Sequence, residues 1–304
     1  MGDRDMELNS KDYGYTNIKE PEFVKDFNFE QSVHSNELLS LMDYASKDSR
    51  AKIEKELLII KNSFFSEKNV YNEIKKSRLP LVCLHDIRLE HRGLDIEFDF
   101  IVIASEFILM IETKPFFGDV TINFKKEITR AYPYKDQPIK ESISSQIFKT
   151  DRNIKFLERF LRDNRLVKDV PIYQIAVIGS DETRLKSRFA KASVKKQFIH
   201  YTELIKKMNE YIKKNQTSEI SHNQMREIAD VIYKEHKPVV VDYEKKLNLS
   251  IITSDSKNIK QKKDQVKDTV EDPSEALLYK TVKDAKKDLF KNTKSPFYRG
   301  YKKQ

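Results

Sequence analysis

The stretch Asp99-Phe100-Ile101-Val102-Ile103-Ala104-Ser105-Glu106-Phe107-Ile108-Leu109-Met110-Ile111-Glu112-Thr113-Lys114 decides how the chain is read. Two apolar, β-branched-rich runs are broken only by Ser105-Glu106, the pattern of two strands joined by a tight turn. The second run then ends in a carboxylate and an ammonium. Charged groups rarely close a buried strand unless they are paired or used. Side chains alternate along a strand, so Glu112 and Lys114 share a face. A hairpin brings Asp99 alongside them, and two acids and a lysine converge at one end of a sheet.

That grouping suits phosphodiester cleavage. Two carboxylates offer oxygen ligands to a hard divalent cation, Mg2+ or Mn2+. Such a cation acidifies bound water and polarises a phosphate, and Lys114 orients the water or offsets charge on the phosphoryl oxygens. An isolated E-x-K is common by chance and often marks a solvated strand end. The upstream Asp99, with strand-like sequence between, is what lifts it above that bland reading.

The same residues resemble the D…E-x-K signature of the PD-(D/E)xK nuclease superfamily. Their surroundings are similar to the nuclease-related domain, NERD, of bacterial proteins. The matching words are Ser66-Glu67-Lys68-Asn69-Val70, Leu84-His85-Asp86-Ile87-Arg88-Leu89, Phe98 to Ile103, Ile111 to Lys114, and Gly118-Asp119-Val120. The resemblance covers roughly residues 46–180. It implies an α/β fold, a PD-(D/E)xK nuclease-like mixed β-sheet flanked by helices, with helical C-terminal additions. It further implies a divalent metal held by Asp99, Glu112 and the carbonyl of Thr113, a third acid in Glu67, and cleavage of nucleic acid, with DNA the expected partner and RNA left open. Glu67 in the first turn of a helix also suits the helix dipole, an ordinary structural role.

This chain departs from the family pattern in the supporting positions. Ser66-Glu67 stands where Gly-Glu is usual, Glu97 where a Gln precedes the Asp, and Pro115 where an Asn follows the lysine. The expected helical Gln falls on Lys149, with Gln146 one turn earlier. Arg152 fits, and Asn153 replaces the usual His. The core triad survives while its support is altered. A metal-dependent nuclease using Asp99, Glu112, Lys114 and Glu67 is therefore the first reading, with Lys149, Arg152 and Gln146 as nucleic-acid contacts. A catalytically decayed binding or accessory protein is the second. A basic protein that docks an acidic protein partner is a third, resting on charge alone.

Composition bounds the rest. The 304 residues carry a net charge of +9, which favours polyanionic partners. Residues 1–50 hold 6 Lys/Arg against 11 Asp/Glu, whereas residues 257–304 hold 14 against 7. Cys83 is the only cysteine and sits in an apolar run. That excludes a disulfide framework, fits a reducing cytoplasm, and makes Cys83 a core residue rather than a nucleophile. The longest apolar run falls short of a membrane helix. Duplex-cutting nucleases often pair two sites, which admits a homodimer.

Composition and periodicity divide the chain into an acidic irregular extension (1–45), the nuclease-related domain (46–180), a helical extension (181–243), a flexible linker (244–271) and a basic helical segment (272–304). Within these, helices are expected at 36–45, 49–63, 67–76, 140–163, 202–213 and 221–236, the last opened by a Ser221/Gln224 capping box. Strands are expected at 81–90, 120–124, 128–134 and 172–179, with a short one at 195–201.

Overall fold

The computed structural model describes residues 20–28, 32–116, 118–125, 127–134, 137–143, 150–166, 170–217, 219–238 and 240–250. The acidic first residues, Gln146, Lys149 and the basic segment 272–304 lie outside them.

The expected central hairpin is present. Strands β2 (Val82–His91), β3 (Leu94–Ile103) and β4 (Ile108–Lys114) form consecutive antiparallel pairs. They are the middle of a six-stranded mixed sheet with order β1-β2-β3-β4-β8-β10. β8 (Ile172–Ile178) runs parallel to β4, from Ile108↔Ile172 to Lys114↔Ile178. This is the parallel crossover anticipated from the order of the elements. The edges come from outside the expected domain: β1 (Glu22–Lys25) pairs with β2, and β10 (Phe198–His200) pairs with β8.

Alternating apolar residues send two sets of side chains to opposite faces. On one face Val82, Leu84, Ile101, Ile103, Ile108 and Met110 meet α3 (Thr150–Asp163) and α6 (His222–Lys234). On the other, Cys83, Phe100, Val102, Leu109, Ile111 and Val177 meet α2 (Lys47–Lys76) and α5 (Leu204–Lys214). Cys83 is fully buried, and burial pushes its thiol pKa up.

A second, four-stranded sheet of order β7-β6-β5-β9 branches off after β4. It contains β5 (Gly118–Ile122), β6 (Ile128–Tyr134), β7 (Gln137–Ile143) and β9 (Thr183–Lys186). Val120, Ile122 and Ile128 pack on Ala176, Ile178 and Phe198 and on Val194 of α4 (Ala192–Gln197). A short helix, α7 (Tyr243–Leu247), closes the described chain against α1 (Ser32–Met42) and the first half of α2, burying Leu38, Leu41, Ile53 and Tyr243.

Several expectations are corrected. The two helices 49–63 and 67–76 are one, α2, because no Gly or Pro separates them; Ser46 caps it, accepting from the Ser49 amide. Glu67 is therefore mid-helix, where the dipole gives it no help. The helix expected at 140–163 begins at Thr150. Residues 137–143 are β7 instead, since Ile143 joins the Val120–Ile122–Ile128 cluster and Glu141 ion-pairs with Arg130 across the ladder. Residues 22–25 of the expected irregular extension form β1 by pairing with β2, whereas the helix expected at 36–45 is present as α1, which starts at Ser32 and buries Leu38 and Leu41. The start of the expected linker, 244–250, is likewise packed: Leu247 and Leu249 join the α1–α2 cluster, and the Ser250 amide donates to Ser49 Oγ at 2.8 Å. The capping box at Ser221 is present.

One contact fixes α2 over the sheet. A Cβ built on Gly179 would lie 2.4 Å from the Ser66 carbonyl oxygen, and Asn69 Nδ2 donates to the Gly179 carbonyl at 2.8 Å. The helix backbone rests directly on the end of β8. Gly179→Ala is expected to lower stability by about 2 kcal/mol, the cost of overpacking a tight site. Thermal unfolding beside wild type reads this, and an unchanged midpoint would show that the helix lifts freely.

Candidate active site

The β2–β3 ladder runs from Val82↔Ile103 to His91↔Leu94 and passes over Asp86 and Asp99, between His85↔Phe100 and Ile87↔Phe98. Asp86 adopts φ 52°, a left-handed conformation that Asp tolerates better than most residues. Lys25 of β1 stitches this point, donating to the His85 carbonyl at 3.0 Å and to Asp86. The irregularity changes which face each side chain meets. Val82 and Leu84 face α3 and α6, and so do Ile87 and Leu89, although strict alternation would have reversed them. Asp99 sits at the break.

Its carboxylate is clasped by Thr113. Asp99 Oδ2 accepts the Thr113 amide at 2.5 Å and the Thr113 hydroxyl at 2.6 Å. Burial, then the charge of Glu67, raises the Asp99 carboxyl to about 7; the bonds from Thr113 and the charge of Lys114 pull the other way. Glu67 thus faces Asp99 from α2. Its own carboxylate is held by His85, whose Nε2 lies 3.0 Å from Glu67 Oε2. His85 is wedged between Phe27 and Phe100, with ring centroids at 4.5 and 4.8 Å.

Glu112 and Lys114 share a face as the alternation requires, and they form an ion pair. Gln174 of β8 donates to the other carboxylate oxygen of Glu112 at 3.4 Å. The hairpin end therefore carries two linked sets: Glu67–Asp99–Thr113 with His85, and Glu112–Lys114 with Gln174. Arg152 lines a shallow pocket with Asp95, Ile96, Glu97 and Asn153, beside the stretch of β3 that precedes Asp99.

The donor chemistry fits a hard divalent cation. Glu67, Asp99, Glu112 and the Thr113 carbonyl are all oxygen donors. Asp99 and Glu67 press on one another electrostatically, and a cation between them relieves that. The side chains stand apart from a coordinating arrangement, each carboxylate engaged by its own neighbour; among the described residues no three His, Cys, Asp or Glu groups are gathered closely enough to hold an ion as they lie.

Two residues of the site, His85 and Gln174, were not singled out from the sequence as site residues. Each had a signal: a polar side chain inside an otherwise apolar strand, Val82-Cys83-Leu84-His85 and Ile172-Tyr173-Gln174-Ile175. Gln174 supplies a glutamine to Glu112 from a strand, where a glutamine was expected from the following helix.

Residues 63–179 match the family model described as nuclease-related domain. That span contains every residue of both sets. No curated protein and no solved structure matches the chain. Among the described residues, no helix is long and apolar enough to cross a membrane.

The raised Asp99 carboxyl has a signed consequence. Between its ordinary value of 3.8 and about 7, the folded chain binds a proton that the unfolded chain releases. Stability from this group therefore falls as pH rises through that window. Asp99→Asn keeps an oxygen for Thr113 and removes the charge. It is expected to raise the thermal midpoint at pH 8, with the gain fading toward pH 4. Melting curves across that range check it, and a gain that grows as pH falls would contradict it.

Proposed function

We propose that the chain, whose residues 63–179 match the nuclease-related domain model, hydrolyses phosphodiester bonds in nucleic acid, DNA above RNA, with Mg2+ or Mn2+. The observation that carries this is the placement of Asp99, Glu112 and Lys114 at one end of the β3–β4 hairpin, with Glu67 brought over it by α2. Glu67, Asp99, Glu112 and the Thr113 carbonyl would hold the ion. When bound, it would supply an acidified water and a polarised phosphate.

The chain's own groups divide the remaining work. His85 and Thr113 orient the two facing acids. Lys114, released from Glu112, offers a cation to the charge that grows on the phosphoryl oxygens. Gln174 keeps the Glu112 carboxylate oriented once that lysine has turned away. The net positive charge draws the polyanion in.

A second reading is favoured by one specific observation. Both acids of the D…E-x-K motif are already engaged, Asp99 by Thr113 and Glu112 by Lys114 and Gln174. A chain that keeps those internal bonds would bind nucleic acid without cutting it.

The deciding experiment is cleavage of linear and circular DNA, single strands and RNA, with magnesium, manganese or chelator. Glu112→Ala and Lys114→Ala are each expected to lower metal-dependent cutting by roughly 100-fold or more, the scale set by loss of one stabilising group. Absence of cutting by the wild type under all conditions would move the assignment to the binding protein.

A further inference from the structure

β5 and β9 lie side by side and parallel, from Gly118↔Thr183 to Thr121↔Lys186. Their first residues sit at the active-site end of the sheet: the Gly118 amide donates to the Glu182 carbonyl, and the Gly179 amide to the Lys114 carbonyl. Both strands leave that end in the same direction and finish in tight turns. The turn after β5 is held by Asn123, whose Oδ1 accepts the amides of Lys125 and Glu127 at 2.9 and 3.0 Å. The turn after β9 is closed by the Ala190 amide on the Ser187 carbonyl at 2.9 Å, and Lys195 Nζ donates to the Arg188 carbonyl.

Each turn presents a phenylalanine and a neighbouring cation to solvent. Phe124 is 58% exposed and has Lys125 Nζ 5.9 Å from its ring centroid. Phe189 is 73% exposed and has the Arg188 guanidinium 5.8 Å from its ring centroid. Exposed phenylalanines on ordered turns expose apolar area to water without a folding benefit. The surroundings are cationic: residues 181–196 hold six Lys/Arg against two Asp/Glu. Lys186 is ion-paired with Asp119, while Arg188 and Lys191 lie on the exposed surface.

We propose that Phe124 and Phe189, with Arg188 and Lys191, form a platform that binds single-stranded nucleic acid, each ring stacking on an unpaired base. An aromatic face stacks most readily on a base that has no partner strand, since entering a duplex costs unstacking, whereas the cations fit any phosphate backbone. The pairing of both features favours a strand over a duplex. β5 spans about 13 Å at the usual rise per residue, so a strand seated on the turns reaches the hairpin end within a few nucleotides. The platform deepens the function proposed above. It rests on nucleic acid as the partner and not on cleavage. Phe189, Arg188 and Lys191 fall beyond the matched span of residues 63–179.

The test is fluorescence anisotropy with a short labelled DNA strand and with the same sequence as a duplex, in chelator so that nothing is cut. Phe124→Ala and Phe189→Ala are each expected to weaken strand binding about tenfold and to change duplex binding less than about twofold. Tyr233→Ala, an exposed aromatic on α6, should change neither. Arg188→Gln and Lys191→Gln should each reduce the slope of log affinity against log salt by about 0.7. Unchanged melting curves establish that the variants are folded.

Unaltered strand affinity in both phenylalanine variants overturns the platform. Equal losses on strand and duplex, or no strand binding by the wild type, overturn it too. Strand affinity unchanged by loss of the rings, in a protein that cuts nucleic acid when metal is added, would remove the platform and leave the hydrolase. Strand binding that needs the rings, in a protein that cuts nothing, would uphold the platform and remove the hydrolase.

Discussion

A carboxylate held inside a sheet is the constraint around which this molecule is arranged. Asp99 stands where the β2–β3 ladder is interrupted, and a charged group there is costly unless its oxygens find donors. Thr113 provides two, one from the backbone and one from the side chain, and both come from the strand that also carries Glu112 and Lys114. The acid is thereby tied to the neighbouring strand rather than to water. The bonds do not cancel the burial, since the carboxyl still rises to about 7 with Glu67 beside it. The site is held under electrostatic tension by its own framework, the usual condition of groups poised for chemistry.

The scaffold supplies the opposing acid with little freedom. α2 lies so close to the end of β8 that Gly179 has no room for a side chain, and Ser66, the residue before Glu67, forms the other half of that contact. His85 then sets the direction of the Glu67 carboxylate from its slot between Phe27 and Phe100. Each polar group in this region is placed by aromatic or backbone packing, which moves less than exposed side chains do.

Much of this was legible in the sequence, and the reasons differ from one element to the next. The hairpin and the strand at 172–178 were readable because long β-branched runs between turn residues have few other solutions. That Glu112 and Lys114 share a face follows from alternation alone. The direction of Asp99 does not, because the left-handed Asp86 breaks the alternation, and the spacings Val82, Leu84, then Ile87, Leu89 and Ile96, Phe98, then Ile101, Ile103 record the break. Residues 140–143 read as the start of a helix because they carry no feature that excludes one; pairing with β6 makes them strand. α1 and α7 bury their apolar residues only against each other and against α2, so neither segment reveals its packing when read by itself. Gln174 stands out as a polar residue in an apolar strand, but its pairing with Glu112, 62 positions away, is fixed by the β4–β8 register and not by local pattern.

The α1–α2–α7 cluster carries a consequence for how the chain is made. Its bonds join the start of α2 to the last described residues: the Ser46 amide to the Ser250 carbonyl, Lys52 to the carbonyls of Leu247 and Asn248, and Lys246 to Glu56. These contacts span about 200 positions, as in the 201 that separate Ser49 from Ser250. A chain emerging from the ribosome produces α1 and the first half of α2 long before α7, the rest of their cover, exists. Through that interval the side of the cluster that Tyr243, Leu247 and Leu249 fill must stay solvated or sheltered by a chaperone. Closing so long a loop is a late and slow event. Nascent chains arrested before residue 250 should therefore be more easily cut by protease in the first half of α2 than the finished protein, while the central hairpin, complete by residue 114, already resists.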